Sequence, residues 1–190
     1  MSDHIKGLIF DCDGTLVDSM PAHWLAWEEV TKRHGLHFPK DRFYSLGGVP
    51  SWQIIEMLGK EQGVSVDAHA ISHEKEQAYL PYMDRVKPIE PVMAIVREWQ
   101  GRVPMSVATG GVRSIIEPLL DQVGLSKYFE AIVTSEDVTH QKPAPDIFLE
   151  AARRIKVAPS HCRAYEDTDL GMQAIVAAGM EAVDVRGMIS

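Results

Sequence analysis

Five short apolar runs, at 7–10, 103–108, 131–134, 161–165 and 182–185, alternate with stretches whose apolar residues recur at helical spacing. Runs this short and continuous suit buried strands, whereas 112–123, 146–155 and 169–178 read as amphipathic helices, the last stopped by Gly179. The alternation predicts an α/β fold, a doubly wound parallel sheet with helices on both faces. One stretch breaks the pattern. From about 19 to 85 there is no strand signal, but amphipathic runs occur at 22–34, 52–62 and 70–83. We read this as a helical-bundle cap inserted directly after the first strand. Pro88 and Pro91 mark the return linker over 86–91, and the departure linker lies near 17–21. The expected division is a core of 1–17 and 86–190 with a cap of 18–85.

The 190 residues, 45% of them hydrophobic, suffice for one core plus a small accessory domain. A formal net charge of -8 argues against a nucleic-acid surface, so an anionic substrate must be held by local cations or a metal. Cys12 and Cys162 form no CxxC pair, which points to a reduced chain without a disulfide or zinc framework, with Cys12 packing rather than reacting. Residues 1–6 lack a signal-peptide pattern, and no apolar run approaches the ~18 residues of a membrane span. A cytoplasmic protein, a monomer with no membrane or nucleic-acid partner, is expected.

Polar groups cluster where the proposed strands end. Asp11-Cys12-Asp13-Gly14-Thr15 follows the first run, placing two carboxylates at the strand end where α/β sheets bind ligands. Asp-Gly is also an ordinary turn signal. Thr109-Gly110-Gly111 ends the second run with a hydroxyl and backbone that can approach an anion, or forms a simple strand-to-helix turn. Lys142 precedes the proline-stiffened Pro143-Ala144-Pro145; it is either a loop lysine or a partner for a carboxylate or phosphate. Glu166, Asp167 and Asp169 follow the fourth run. Asp11, Asp13 and Asp167 suit the few carboxylate ligands of Mg²⁺ if the strand ends converge, and acids here also cap a helix.

In this order the motifs resemble those of the haloacid dehalogenase superfamily of aspartate-dependent phosphotransferases, with a Rossmann-like core. Asp11-x-Asp13-Gly14-Thr15, Thr109, Lys142 and Glu166-Asp167 match its four motifs. The continuation Val17-Asp18-Ser19 and the helical insert are similar to the β-phosphoglucomutase subgroup, nearest to its bacterial fructose 1-phosphate phosphatase type. The resemblance implies a Mg²⁺-dependent phosphatase acting on a small phosphorylated sugar. Asp11 would be nucleophile and Asp13 general acid and base, while Thr109, Gly110 and Lys142 would hold the phosphoryl group. Asp11, Asp13, Glu166 and Asp167 would form the metal site, Asp13 through its backbone carbonyl, Asp167 as direct ligand and Glu166 either ligating or close by.

The resemblance also makes the cap the seat of substrate choice. His23 and Trp27 lie one helical turn apart; His23 is assigned to the substrate and Trp27 to packing. The loop 46–51, with Gly48 and Ser51 as substrate-binding positions, is similar to the specificity loop of the mutase. Gly47 and Ser51 stand where the mutase has a Lys and an Arg, which favours hydrolysis of a monophosphate over handling of a bisphosphate. Trp52 suits either a sugar contact or the cap core. A sugar phosphomutase of β-phosphoglucomutase type is the alternative activity, and a receiver-like phosphorylation switch is a third reading, opposed by the insert.

Overall fold

The computed structural model describes residues 4–189. Five strands, β1 (Gly7–Phe10), β2 (Met105–Ala108), β3 (Ala131–Val133), β4 (Cys162–Glu166) and β5 (Glu181–Asp184), form one parallel sheet in the order β3-β2-β1-β4-β5. The helices are α1 (Met20–Arg33), α2 (Lys40–Ser45), α3 (Ser51–Gln62), α4 (Ala68–Tyr79), α5 (Glu90–Trp99), α6 (Arg113–Gln122), α7 (Asp146–Arg154) and α8 (Asp169–Ala177). The chain divides into two compact units, one running to Asp18 and resuming at Lys87, the other spanning Ser19–Val86.

In the α/β unit β1 is central and buried at every residue, as its unbroken apolar sequence requires of a strand covered on both faces. One hydrophobic cluster joins Ile9, Ala108, Val133 and Ala164 of the sheet to Phe148 of α7 and Ile175 of α8. Phe10 pairs with Val107 on one side and Tyr165 on the other, so Asp11, Thr109 and Glu166 emerge at the carboxyl ends of three adjacent strands. The ladder continues past β1, with Asp11 N donating to Tyr165 O at 3.0 Å. On the neighbouring strand Thr109 N donates to Val133 O at 2.9 Å.

The helical unit closes around Trp27, Val30, Phe38, Phe43, Ile55 and Leu58. Among its described residues there is no strand. The expected 70–83 helix divides at its end: α4 stops at Tyr79 and a 3-10 turn, Leu80–Arg85, follows, because Pro81 lacks the N–H an α-helical ladder needs. Pro91, expected in a linker, sits in the first turn of α5, where its missing N–H would be unsatisfied in any case. Pro88 does lie in extended chain, in an antiparallel bridge with Val17. No helix among the described residues is long and apolar enough to cross a membrane.

Candidate active site

The loop after β1 is folded onto one carbonyl. Cys12 O accepts from the N–H groups of Thr15, Leu16 and Val17 at 2.9–3.2 Å, and Gly14 N donates to Val17 O. Gly14 takes φ +82°, a left-handed conformation open to glycine, and a Cβ there would overlap the Asp167 carboxylate. The turn therefore lets Thr15 Oγ1 donate to Asp167 Oδ1 at 2.9 Å, tying the first motif to the fourth. Cys12 is fully buried and burial pushes its thiol well up, as a packing role requires.

Lys142 joins the other parts. Its Nζ donates to Asp11 Oδ1 at 2.6 Å and to Glu166 Oε1 at 2.7 Å, with only 7% of the residue exposed. The ammonium also lies 5.2 Å from the centre of the Phe148 ring. Burial alone would push Lys142 down, but the carboxylates of Asp11 and Glu166 outweigh it and hold the ammonium charged, above its usual range. Asp11 moves the other way: burial raises it well above the ordinary carboxyl value despite Lys142, helped by Glu166 and Asp167. Asp167 is raised to about 6, by burial first and Glu166 second.

Burial leads the rise of Asp11 and Asp167, and the crowding of carboxylates adds to it. Three carboxylates surround one ammonium in a buried place, leaving an excess of negative charge. Oxygens of Asp11, Glu166 and Asp167 lie within 4.8 Å of one another, a hard donor set that fits Mg²⁺ in number and chemistry. The side chain of Asp13 is not part of this trio among the described residues.

The second motif forms a hydrogen-bonded turn. Thr109 is 1% exposed and its Oγ1 accepts from Gly111 N at 3.0 Å, while Gly110 is exposed beside it. Ser135 holds this loop from the neighbouring strand end, donating from N and Oγ to Gly111 O, both at 3.1 Å. Gln141 Nε2 in turn donates to Ser135 O, linking the turn to the residue before Lys142. Neither Ser135 nor Gln141 was legible as a site-supporting residue, since each looks like ordinary loop polarity.

Within the helical unit, His23 does meet polar partners. Its Nδ1 lies 3.1 Å from Lys75 Nζ and its ring stacks on Tyr79 at 3.9 Å. Lys75 donates to Glu76 Oε1 at 3.1 Å, and Ser51 Oγ reaches the same oxygen at 3.3 Å. Trp27 packs edge-on against Phe38 in the core, and Trp52 stacks on His69. Gly48 is exposed at φ +83°. Sequence reasoning missed Lys75 and Glu76. The available signal was a lysine at the buried spacing Ile71, Lys75, Tyr79 of α4, where a solvated charge does not belong.

Comparison with known proteins bears on what the site does. The family model described as haloacid dehalogenase-like hydrolase matches residues 5–179. The chain is 43% identical to the fructose-1-phosphate phosphatase YqaB of Escherichia coli (strain K12), over 98% of this chain and 99% of that protein. It is 28% identical to the β-phosphoglucomutase of Bacillus subtilis (strain 168), over 95% of this chain and 83% of the other. A crystal structure of β-phosphoglucomutase from Clostridium difficile superposes with a TM-score of 0.85 at 22% identity, covering 95% of this chain and 84% of that one.

Proposed function

The chain belongs to the haloacid dehalogenase-like hydrolase family and is a sugar phosphatase, and we propose that its substrate is a small sugar phosphate such as fructose 1-phosphate, hydrolysed with Mg²⁺ through an aspartyl-phosphate. The observation that carries this reading is the buried Lys142 clamped between Asp11 and Glu166, with Asp167 beside them. The extended likeness to a fructose 1-phosphate phosphatase supports the substrate.

The chemistry divides between residues of the α/β unit. Asp11 attacks phosphorus in line, so that a carboxylate oxygen–phosphorus bond forms while the phosphorus–sugar oxygen bond breaks. Asp13 gives its proton to the departing sugar oxygen. Water then attacks the phosphorus of the acyl phosphate, Asp13 takes the proton back, and phosphate leaves with Asp11 restored. Thr109 and the N–H of Gly110 hydrogen-bond the phosphoryl oxygens, and Lys142 steadies Asp11 and the same oxygens. The carboxylates of Asp11, Asp167 and Glu166 and the backbone carbonyl of Asp13 would hold Mg²⁺, which would supply neutralisation of phosphoryl charge. His23, Gly48 and Ser51 take the sugar, and Lys75 and Glu76 link His23 to Ser51.

A phosphate-release screen over phosphorylated sugars, with and without Mg²⁺, tests the reading; fructose 1-phosphate turnover that disappears on chelation is the expected result. A sugar phosphomutase is the second reading, favoured by the likeness to the Bacillus subtilis enzyme. Incubation with β-glucose 1-phosphate and a trace of the 1,6-bisphosphate separates the two. Accumulating glucose 6-phosphate without comparable free phosphate would establish the mutase.

A further inference from the structure

Gly171 lies buried in the first turn of α8, at a helical backbone conformation that any residue adopts. Alanine is a better helix former than glycine, because glycine loses more conformational freedom on folding. A glycine here needs another reason, and its surroundings supply one. A Cβ built on Gly171 would overlap Oε1, Cδ and Cγ of Glu166 at once. The far half of that side chain occupies the space an alanine methyl would take.

Glu166 cannot simply swing aside and keep its bonds. It is 1% exposed; Oε1 accepts from Lys142, and Oε2 accepts from the backbone N–H of Thr168. Thr168 Oγ1 then accepts from Gly171 N at 3.0 Å, capping the helix. Residues 166–171 thus form one wrapped turn, with the carboxylate pressed against the bare face of Gly171. Gly59 of α3, also buried, differs in kind, because a Cβ there would meet Val66 and the Val64 carbonyl.

We infer that Gly171 is a positioning residue for the reaction: by carrying no side chain it leaves the room in which the Glu166 carboxylate meets Lys142 and stands beside Asp11 and Asp167. The effect on turnover rests on the proposed roles of Glu166 and Mg²⁺, whereas the effect on folding does not.

The test is a double-mutant cycle of Gly171→Ala and Glu166→Ala in the full chain, read by thermal denaturation midpoint and by the midpoint shift that Mg²⁺ induces. With Glu166 present, Gly171→Ala lowers the midpoint and raises the Mg²⁺ concentration for half of the shift about tenfold. With Glu166→Ala, the space is vacant and the same substitution raises the midpoint while leaving the Mg²⁺ response as it is in the Glu166→Ala single variant. That reversal of sign is the result expected. An equal loss in both backgrounds would place the constraint in general helix packing and overturn the inference, as would an unchanged midpoint with Glu166 present. A wild-type midpoint indifferent to Mg²⁺ would count against the metal reading alone, since the sign reversal is still read without the metal.

Discussion

Lys142 of the α/β unit and Lys75 of the helical unit are both buried, 7% and 4% exposed, and both are held by side chains. Their neighbours differ in charge. Lys142 contacts two carboxylates, Asp11 and Glu166, and a third, Asp167, completes their cluster, so negative charge exceeds what one ammonium balances. Lys75 contacts one carboxylate, Glu76, and one imidazole, His23, between the faces of Trp27 and Tyr79. The first arrangement is incomplete as it stands and is suited to accept further positive charge. The second is already balanced and suited to hydrogen bonding. The contrast is one of charge: the Lys142 cluster carries a surplus of carboxylates, and the Lys75 cluster does not.

The largest expected break in this contrast comes from Asp11→Asn, which removes the proposed nucleophile while keeping volume. Turnover falls on the order of 10⁴-fold or more, as measured by phosphate release, while circular dichroism shows the fold retained. Lys142→Met follows. It strands Asp11 and Glu166 without their cation, so equilibrium denaturation shows a loss of about 3–5 kcal/mol, with activity falling alongside. Lys75→Met sharpens the comparison further: KM for fructose 1-phosphate rises roughly tenfold while hydrolysis of acetyl phosphate, which has no sugar, is kept. An equal loss on both substrates would show that Lys75 serves the common chemistry.

A smaller effect comes from a third ion cluster, distant in sequence from the first motif. Asp137 pairs with Arg113 and Arg154 and accepts from Thr134 N and Oγ1; against burial, the bonds from Thr134 and Arg154 lower its carboxyl to about 2 from 3.8. A folded value below the unfolded one means stability that is present above the unfolded value and lost as pH falls through the folded one. Asp137→Asn is therefore expected to cost about 1–3 kcal/mol, constant from pH 7 to about pH 4 and shrinking below it. Denaturant titrations at several pH values check the trend.

Much of this contrast could be anticipated unevenly. The α/β alternation was legible because buried strands such as Leu8-Ile9-Phe10 are continuous apolar runs, and Lys142 was legible because Pro143 and Pro145 set it apart. Its partners were less so: nothing local says that Lys142 reaches Glu166, 24 residues on, since the β1-β4 pairing sets Asp11 beside Glu166 and the loop before α7 brings Lys142 to both. Lys75 was missed for a related reason. Its helix, Ala68–Tyr79, carries His69, His73, Glu74 and Glu76 around it, so one more charge looked like a solvated face until its apolar spacing was weighed. Helix α5 was hidden behind Pro91, whose first-turn position is compatible with helix but reads as a break.

The central claim is that Asp11 carries the phosphoryl group between sugar and water. Rapid mixing with fructose 1-phosphate radiolabelled on phosphorus, acid quench and peptide mapping test it most directly. The account predicts label on the peptide containing Asp11, lost on brief alkaline treatment as an acyl phosphate is, and absent from Asp11→Asn. Label on another residue, or full turnover by Asp11→Asn, would contradict it.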